Sequence, residues 1–279
     1  MVDANHWFEN DCARAFWDQR HGKSYLDLLR ATGGWLDVRP GETWIDLGCG
    51  SGQLTALLWQ RAAGKIGRIH ALDCASANRE ALEKLAARLA PAKQDRIRFE
   101  VHDLSRGLPQ YASSSVNGVV SGLAISYAES FDSRTGRYTD AAYNHLLEDV
   151  YRVLQPGGRF VFSVNVPQPR FWSILFDSFR SGLFVPHARR VFFNSLRMQF
   201  YGRWLKSEAR RGRFHFFPIQ EIKGRLAATG FSGIEHTLSY ARQAYVIRAI
   251  KPYALENRVS VRPYCDARES LAATPASVR

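Results

Sequence analysis

Between Thr43 and Lys251 the chain alternates two hydrophobic patterns. Short apolar runs predict strands at Thr43–Leu47, Arg68–Leu72, Arg96–His102, Val116–Leu123, Arg159–Asn165, Phe231–Ser239 and Ala244–Lys251. Amphipathic stretches between them predict helices at Gln53–Ala63, Ser76–Ala90, Asp140–Leu154 and Ile219–Thr229. Gly64, Pro91 and Gly230 supply three of the helix stops, as residues that take positive φ or cannot continue a helix. Strands this apolar are buried on both faces. The pattern therefore predicts an α/β fold, a seven-stranded, mostly parallel sheet with helices on both faces. In such sheets ligands sit beyond the carboxyl ends of the strands, where strand order reverses.

Two regions depart from the alternation. Pro167–Phe217 holds 13 of the 35 aromatic residues and 10 Lys/Arg against 2 acids. A structureless loop of that length is uncommon, so residues 167–217 are expected to form a largely helical, aromatic and basic cap inserted after the fifth strand. In its second half Phe192, Phe193, Leu196, Phe200 and Trp204 share one side of a helical wheel, on which Arg203 intrudes. Residues 253–279 are a polar, irregular tail, expected to be partly disordered. Residues 1–35 are expected to be a helical segment covering the ligand site, with the core at 36–166 and 218–252.

The composition narrows the class. The 279 residues, 46% of them hydrophobic, suit one large domain with an insertion. Cys12, Cys49, Cys74 and Cys265 form no CxxC pair, so neither a disulfide framework nor a zinc site is indicated, and no metal is expected. The N-terminus lacks a signal-peptide pattern and no apolar run is long enough to span a bilayer. A cytoplasmic location is the expectation. The net charge of +12 lies mainly in the insertion, which admits membrane-peripheral contact with anionic lipid, RNA, or solvent as its surroundings.

The stretch "WIDLGCGSGQLT" at 44–55 carries the candidate chemistry. Gly48, Gly50 and Gly52 follow an apolar run and open a helix, the place for backbone to approach a ligand closely. A dinucleotide fingerprint would need its third glycine where Gln53 stands, and no lysine follows to make a phosphate-binding loop. Asp46 just before the turn would be unwelcome beside a pyrophosphate and suits a ligand with an ammonium group.

Four segments in order, "DLGCGSG" at 46–52, "ALDCA" at 71–75, "VHDLSRGLP" at 101–109 and "RVLQPGGRFVFSV" at 152–164, resemble the class I S-adenosylmethionine-dependent methyltransferases, with their Rossmann-like fold. The resemblance implies S-adenosylmethionine as cofactor and S-adenosylhomocysteine as product. It implies that Gly48, Cys49, Gly50 and Gly52 line the methionine and ribose portions, that Asp46 lies near the amino group, and that Asp73 takes both ribose hydroxyls. Cys74 would lie against the adenine, Asp103 and the Leu104 amide at its edge, and Ser121 and Gly122 by the methionine. The reaction would be in-line displacement at the sulfonium methyl, which needs no obvious base.

No catalytic residue stands out. Ser126 and Tyr127 follow the fourth strand and could reach an acceptor; His187 and His215 lie in the insertion, where an imidazole could take a proton. On the wheel of Asp140–Leu154, His145 points with Glu148, Asp149 and Arg152, away from Tyr143, Leu147, Val150 and Leu154, so it reads as a solvated residue. "SGLAISYAES" at 121–130 lacks the N/D-P-P motif of enzymes that methylate amino groups. The aromatic insertion suggests a small, mostly apolar or aromatic acceptor, such as a quinone, polyketide, isoprenoid or lipid-like compound. RNA methylation and a turnover-free binding protein are the alternatives. The sequence is silent on oligomeric state.

Overall fold

The computed structural model describes residues 22–91, 94–170 and 202–253. Residues 1–21, 171–201 and 254–279 lie outside them, and with them most of the expected cap, the tail and His187.

Nine strands and six helices make up the described chain, apart from single 3-10 turns. In order they are α1 (Lys23–Trp35), β1 (Thr43–Leu47), α2 (Gln53–Arg61), β2 (Arg68–Asp73), α3 (Asn78–Leu89), β3 (Ile97–Val101), β4 (Val116–Gly122), β5 (Ser130–Asp132), β6 (Arg137–Thr139), α4 (Ala141–Val153) and β7 (Leu154–Asn165). There follow α5 (202–210), α6 (Ile219–Thr229), β8 (Ser232–Ser239) and β9 (Ala244–Ile250). Seven strands form one sheet in the order β3-β2-β1-β4-β7-β9-β8, and β5 and β6 form a separate hairpin. Neighbours from β3 to β7 run parallel, while β9 is antiparallel to both β7 and β8. Strand order reverses between β1 and β4.

Both sheet faces are apolar, and the alternation of side chains divides them. Ile45, Leu47, Val119, Phe160, Phe162 and Ile247 pack beneath α4 and α6 through Leu146, Leu147, Val150 and Leu226. Trp44, Val120 and Val161 point the other way and meet Leu54 and Leu58 of α2 and Leu82 of α3. The stacked rings of Phe160 and Phe162, 4.3 Å apart, follow from residues two apart on a strand sharing a face. Helix α1 packs through Leu28 on Val246 of β9, with Tyr25 and Trp35 alongside.

Residues 155–158, between the expected helix and the expected fifth strand, are an excursion within β7. The chain joins β4 at Leu154, opposite Val116, bulges, and rejoins at Arg159, opposite Gly118. Gly157, at φ +76, donates its N–H to Lys251 O at 2.7 Å. Lys251 in turn donates through Nζ to Tyr151 O and Leu154 O, satisfying carbonyls at the end of α4.

Asp149 shares a side of the wheel with His145 yet is 7% exposed, while the His145 side chain is 55% exposed, as expected. The turn after β3 lies on this face of α4, and the Leu108 N–H donates to Asp149 Oδ2 at 2.5 Å. Arg152 bridges Asp149 Oδ1 and the carbonyls of Tyr111 and Leu108, so the carboxylate pins the turn and stays ionised below the usual range.

Gly118 is required where Trp44 lies flat against β4: a Cβ there would sit 2.5 Å from the buried indole. Gly118→Ala is expected to lower stability by about 1–3 kcal/mol through overpacking, read from the urea midpoint at unchanged m. An unchanged midpoint would contradict this packing.

Candidate functional site

The glycine loop is shaped by the ends of β1 and β2. Gly48 N and Cys49 N both donate to Leu72 O, at 2.8 and 2.9 Å, folding the chain sharply over the end of β2. Gly48, Gly50 and Gly52 have φ of +69, +53 and +88, a region other residues adopt only with strain. A Cβ on Gly48 would stand 2.1 Å from Ala124 Cβ, and one on Gly52 would stand 2.6 Å from Leu85 Cδ2. A Cβ on Gly50 would meet nothing within 4 Å. So the first and third glycines let the loop close onto the protein, and the second faces open space.

Two carboxylates flank this loop. Asp73, at the end of β2, accepts from Gly50 N through Oδ2 and from Ala75 N through Oδ1, each at 2.9 Å. The Asn78 side chain also hydrogen-bonds this carboxylate. Burial raises the Asp73 pKa despite those bonds. Asp46, in β1, is 0% exposed. Thr55 in α2 donates to its Oδ2 at 2.7 Å, and its Oδ1 is buried with no hydrogen-bond partner. Burial pushes its pKa to about 7, with the charge of Asp73 adding to the rise. A buried carboxylate with one oxygen unpaired is electrostatically prepared for a cation.

The remaining expected residues border the same end of the sheet. Cys49 is buried; Cys74 is half-buried, its thiol pushed up to about 12 by burial and by the charges of Asp73 and Asp103. Asp103 accepts from Ser105 N at 2.9 Å and so caps the single 3-10 turn that begins at Leu104. Ser121 Oγ donates to Leu47 O at 2.8 Å, tying β4 to β1 at the strand reversal, and Gly122 follows it. Among the described residues no group of three His, Cys, Asp or Glu is arranged to hold a metal.

The possible bases Ser126, Tyr127 and His215 lie together, the His215 N–H donating to Ser126 O at 2.9 Å. Tyr127 is half-buried; Asn165 Nδ2 donates to its hydroxyl at 3.3 Å, and Phe214 and Phe216 pack edge-on against its ring. His215 points to the other side of the same extended segment. It stacks on Phe217 and faces Tyr143, with its Nε2 buried and unbonded, and burial lowers its pKa. Ser126 is buried, its Oγ also without a partner. His145 lies on the outer face of α4.

Sequence reasoning missed Thr55, Tyr25, Asn165 and Tyr240. Thr55 gives no signal, being one polar residue in a helix. Tyr240 does: "SYARQA" joins two strands without glycine or asparagine, and Tyr240, Ala241 and Arg242 all take positive φ, 56, 52 and 63.

The chain matches the family described as a methyltransferase domain over residues 39–180, about half its length. It is 30% identical over 151 residues to the biotin biosynthesis bifunctional protein of Teredinibacter turnerae, covering 53% of this chain and 23% of that protein. It is 28% identical over 162 residues to a tRNA1(Val) (adenine(37)-N6)-methyltransferase of Phocaeicola vulgatus, covering 56% and 64%. Among solved structures, the magnesium protoporphyrin IX methyltransferase of Synechocystis with bound S-adenosylhomocysteine superposes at a TM-score of 0.53 with 14% identity, covering 88% of this chain and 95% of that one. This chain belongs to the class I S-adenosylmethionine-dependent methyltransferases. The matched part spans less than two thirds of each of those two curated relatives.

Asp46 links the site to stability. Its pKa is raised on folding, so the folded chain keeps this proton up to about pH 7 while the unfolded chain loses it near the ordinary carboxylate value. That contribution favours the fold at low pH and is lost as pH rises toward 7. Asp46→Asn should therefore stabilise the ligand-free protein above pH 7, by about 4 kcal/mol at most, and change little at pH 4. Melting curves at both pH values check this; an equal loss of stability at both would contradict it.

Proposed function

We propose that the protein transfers the methyl group of S-adenosylmethionine to a small, mostly apolar or aromatic acceptor. The observation that carries the cofactor half is the buried, unpaired Oδ1 of Asp46 beside a glycine loop whose middle member faces open space. That oxygen suits the cofactor's ammonium group. The two-oxygen carboxylate of Asp73 at the end of β2 suits a vicinal diol, and the loop at Asp103 and Leu104 suits the adenine edge. Cys49, Ser121 and Gly122 complete the methionine side, and Cys74 the adenine side. Bound S-adenosylmethionine supplies an electrophilic methyl on a sulfonium. The chain's part is to hold it in one orientation, keep water away and bring a nucleophile into line. Such catalysis draws on orientation, so turnover does not require an assigned base.

The acceptor half draws on the aromatic insertion and on Tyr127 with Phe214 and Phe216 at its described end. The named acceptors of related proteins differ in kind, a tRNA adenine among them, so relatives do not select the acceptor. Among the described residues no helix is long and apolar enough to cross a membrane.

Two outcomes are expected. Calorimetry should give saturable binding of S-adenosylhomocysteine at pH 8, weakened about tenfold or more in Asp73→Ala because hydrogen bonds to a charged group are lost. Binding of S-adenosylmethionine should also weaken about tenfold per pH unit once the pH falls below the Asp46 value near 7. Equal affinity in Asp73→Ala, or at pH 5 and pH 8, would refute the assignment. Second, radiolabelled methyl groups incubated with cell extract should partition into the organic-extractable fraction; ribonuclease-sensitive label would transfer the proposal to RNA.

A further inference from the structure

The loop after β3 carries Asp103 and Leu104, the two residues that suit the adenine edge. It is first held by its own bonds. The His102 Nε2–H donates to Gly107 O at 2.6 Å, and Arg106 N and Gly107 N donate to Asp103 O and Leu104 O, each at 3.1 Å. Ser105 N donates to Asp103 Oδ1 at 2.9 Å, so the same turn orients that carboxylate. His102 N donates to Asp73 O at 2.9 Å, which ties the start of the loop to the end of β2.

A second set of bonds comes from α4 and fixes where the turn stands. Asp149 Oδ2 accepts from Leu108 N at 2.5 Å. Arg152 donates to Leu108 O through Nη2 at 2.8 Å, to Tyr111 O through Nη1 at 2.7 Å and to Asp149 Oδ1 through Nε at 2.7 Å. Both backbone polar groups of Leu108 are thus held by one ion pair on a helix, and the guanidinium fork is rigid. The Leu108 side chain is buried in the core with Leu146 and Leu147 of the same helix. Gly107 permits the close approach: its φ is +66, and a Cβ there would stand 2.3 Å from Asp149 Oδ2 and 2.7 Å from His145 Nε2. These contacts fall at 107–111, just past the two residues that would meet a base. Hydrogen bonds weaken steeply when misaligned, so a turn displaced at Leu108 would misplace Asp103 and the Leu104 amide together.

Resting on the proposed cofactor site, we propose that Asp149 and Arg152 are positioning residues for the adenine base and set the site's preference for adenine over hypoxanthine. They hold the turn so that Asp103 accepts from the exocyclic amino group while the Leu104 amide donates to the ring. Hypoxanthine carries a carbonyl in place of that amino group and an N–H at the neighbouring ring position. It would set acceptor against acceptor and donor against donor, leaving both protein groups unpaired.

The test is calorimetry on the full chain with S-adenosylhomocysteine and S-inosylhomocysteine. The unaltered protein should bind the inosyl compound about tenfold or more weakly. Arg152→Met and Asp149→Asn should each weaken S-adenosylhomocysteine about tenfold and leave S-inosylhomocysteine nearly unchanged, so that the discrimination closes. Gly118→Ala, which lowers stability elsewhere in the sheet, should keep the full discrimination; this separates positioning from a general loss of stability. If neither α4 variant folds, Arg152→Lys carries the test, because it keeps a charge beside Asp149 but not the fork that spans two carbonyls, and it should narrow the discrimination in the same sense. Variants of Asp149 and Arg152 that lose affinity for both compounds equally, or for neither, would overturn the proposal and leave the cofactor site standing. Equal binding of the two compounds by the unaltered protein would overturn the assignment of Asp103 and Leu104 to adenine, and the positioning role with it.

Discussion

A carboxylate with no solvent and half its hydrogen bonds is the feature around which the carboxyl end of this sheet is organised. Asp46 sits on the central strand of the parallel half, 0% exposed, with Thr55 on one oxygen and nothing on the other. An ionised carboxylate in such a place opposes folding unless it holds a proton or meets a cation. The fold tolerates it because large apolar clusters on both faces of the sheet stabilise the rest. The cost of keeping the group is the reason to read the position as functional rather than structural.

The topology explains why everything else converges there. Reversal of strand order between β1 and β4 opens a crevice at their carboxyl ends. The glycine loop closes it on one side because two of its three glycines touch Ala124 and Leu85 where no side chain fits. Asp73 holds the loop through Gly50 N.

Much of this was legible in the sequence because it rests on local signals. The alternation of apolar runs and amphipathic helices matches six of the seven sheet strands to within a residue, while β7 begins at Leu154 rather than at the expected Arg159. The glycines at 48, 50 and 52 and the acids at 46 and 73 are visible because backbone geometry and charge leave marks at fixed spacing. What was not legible depends on contacts distant in sequence. The burial of Asp149, on a polar side of its wheel, was not legible; the turn that buries it comes from 41 residues earlier and supplies an amide needing a partner. The early start of β7 was not legible because nothing local reveals that Leu154 already pairs with Val116. Tyr25 and Tyr240 pack together only in three dimensions, and each alone reads as a core or surface residue.

The central claim is that Asp46 is a buried, near-neutral acid in the free protein and becomes a carboxylate when the cofactor's ammonium group arrives. Carbon-detected NMR of the labelled Asp46 carboxyl, titrated with and without S-adenosylmethionine, tests it most directly. The account predicts a midpoint near pH 7 in the free protein and a large downward displacement in the complex. A carboxyl that titrates in the ordinary aspartate range without ligand, or whose midpoint the ligand leaves in place, would contradict it.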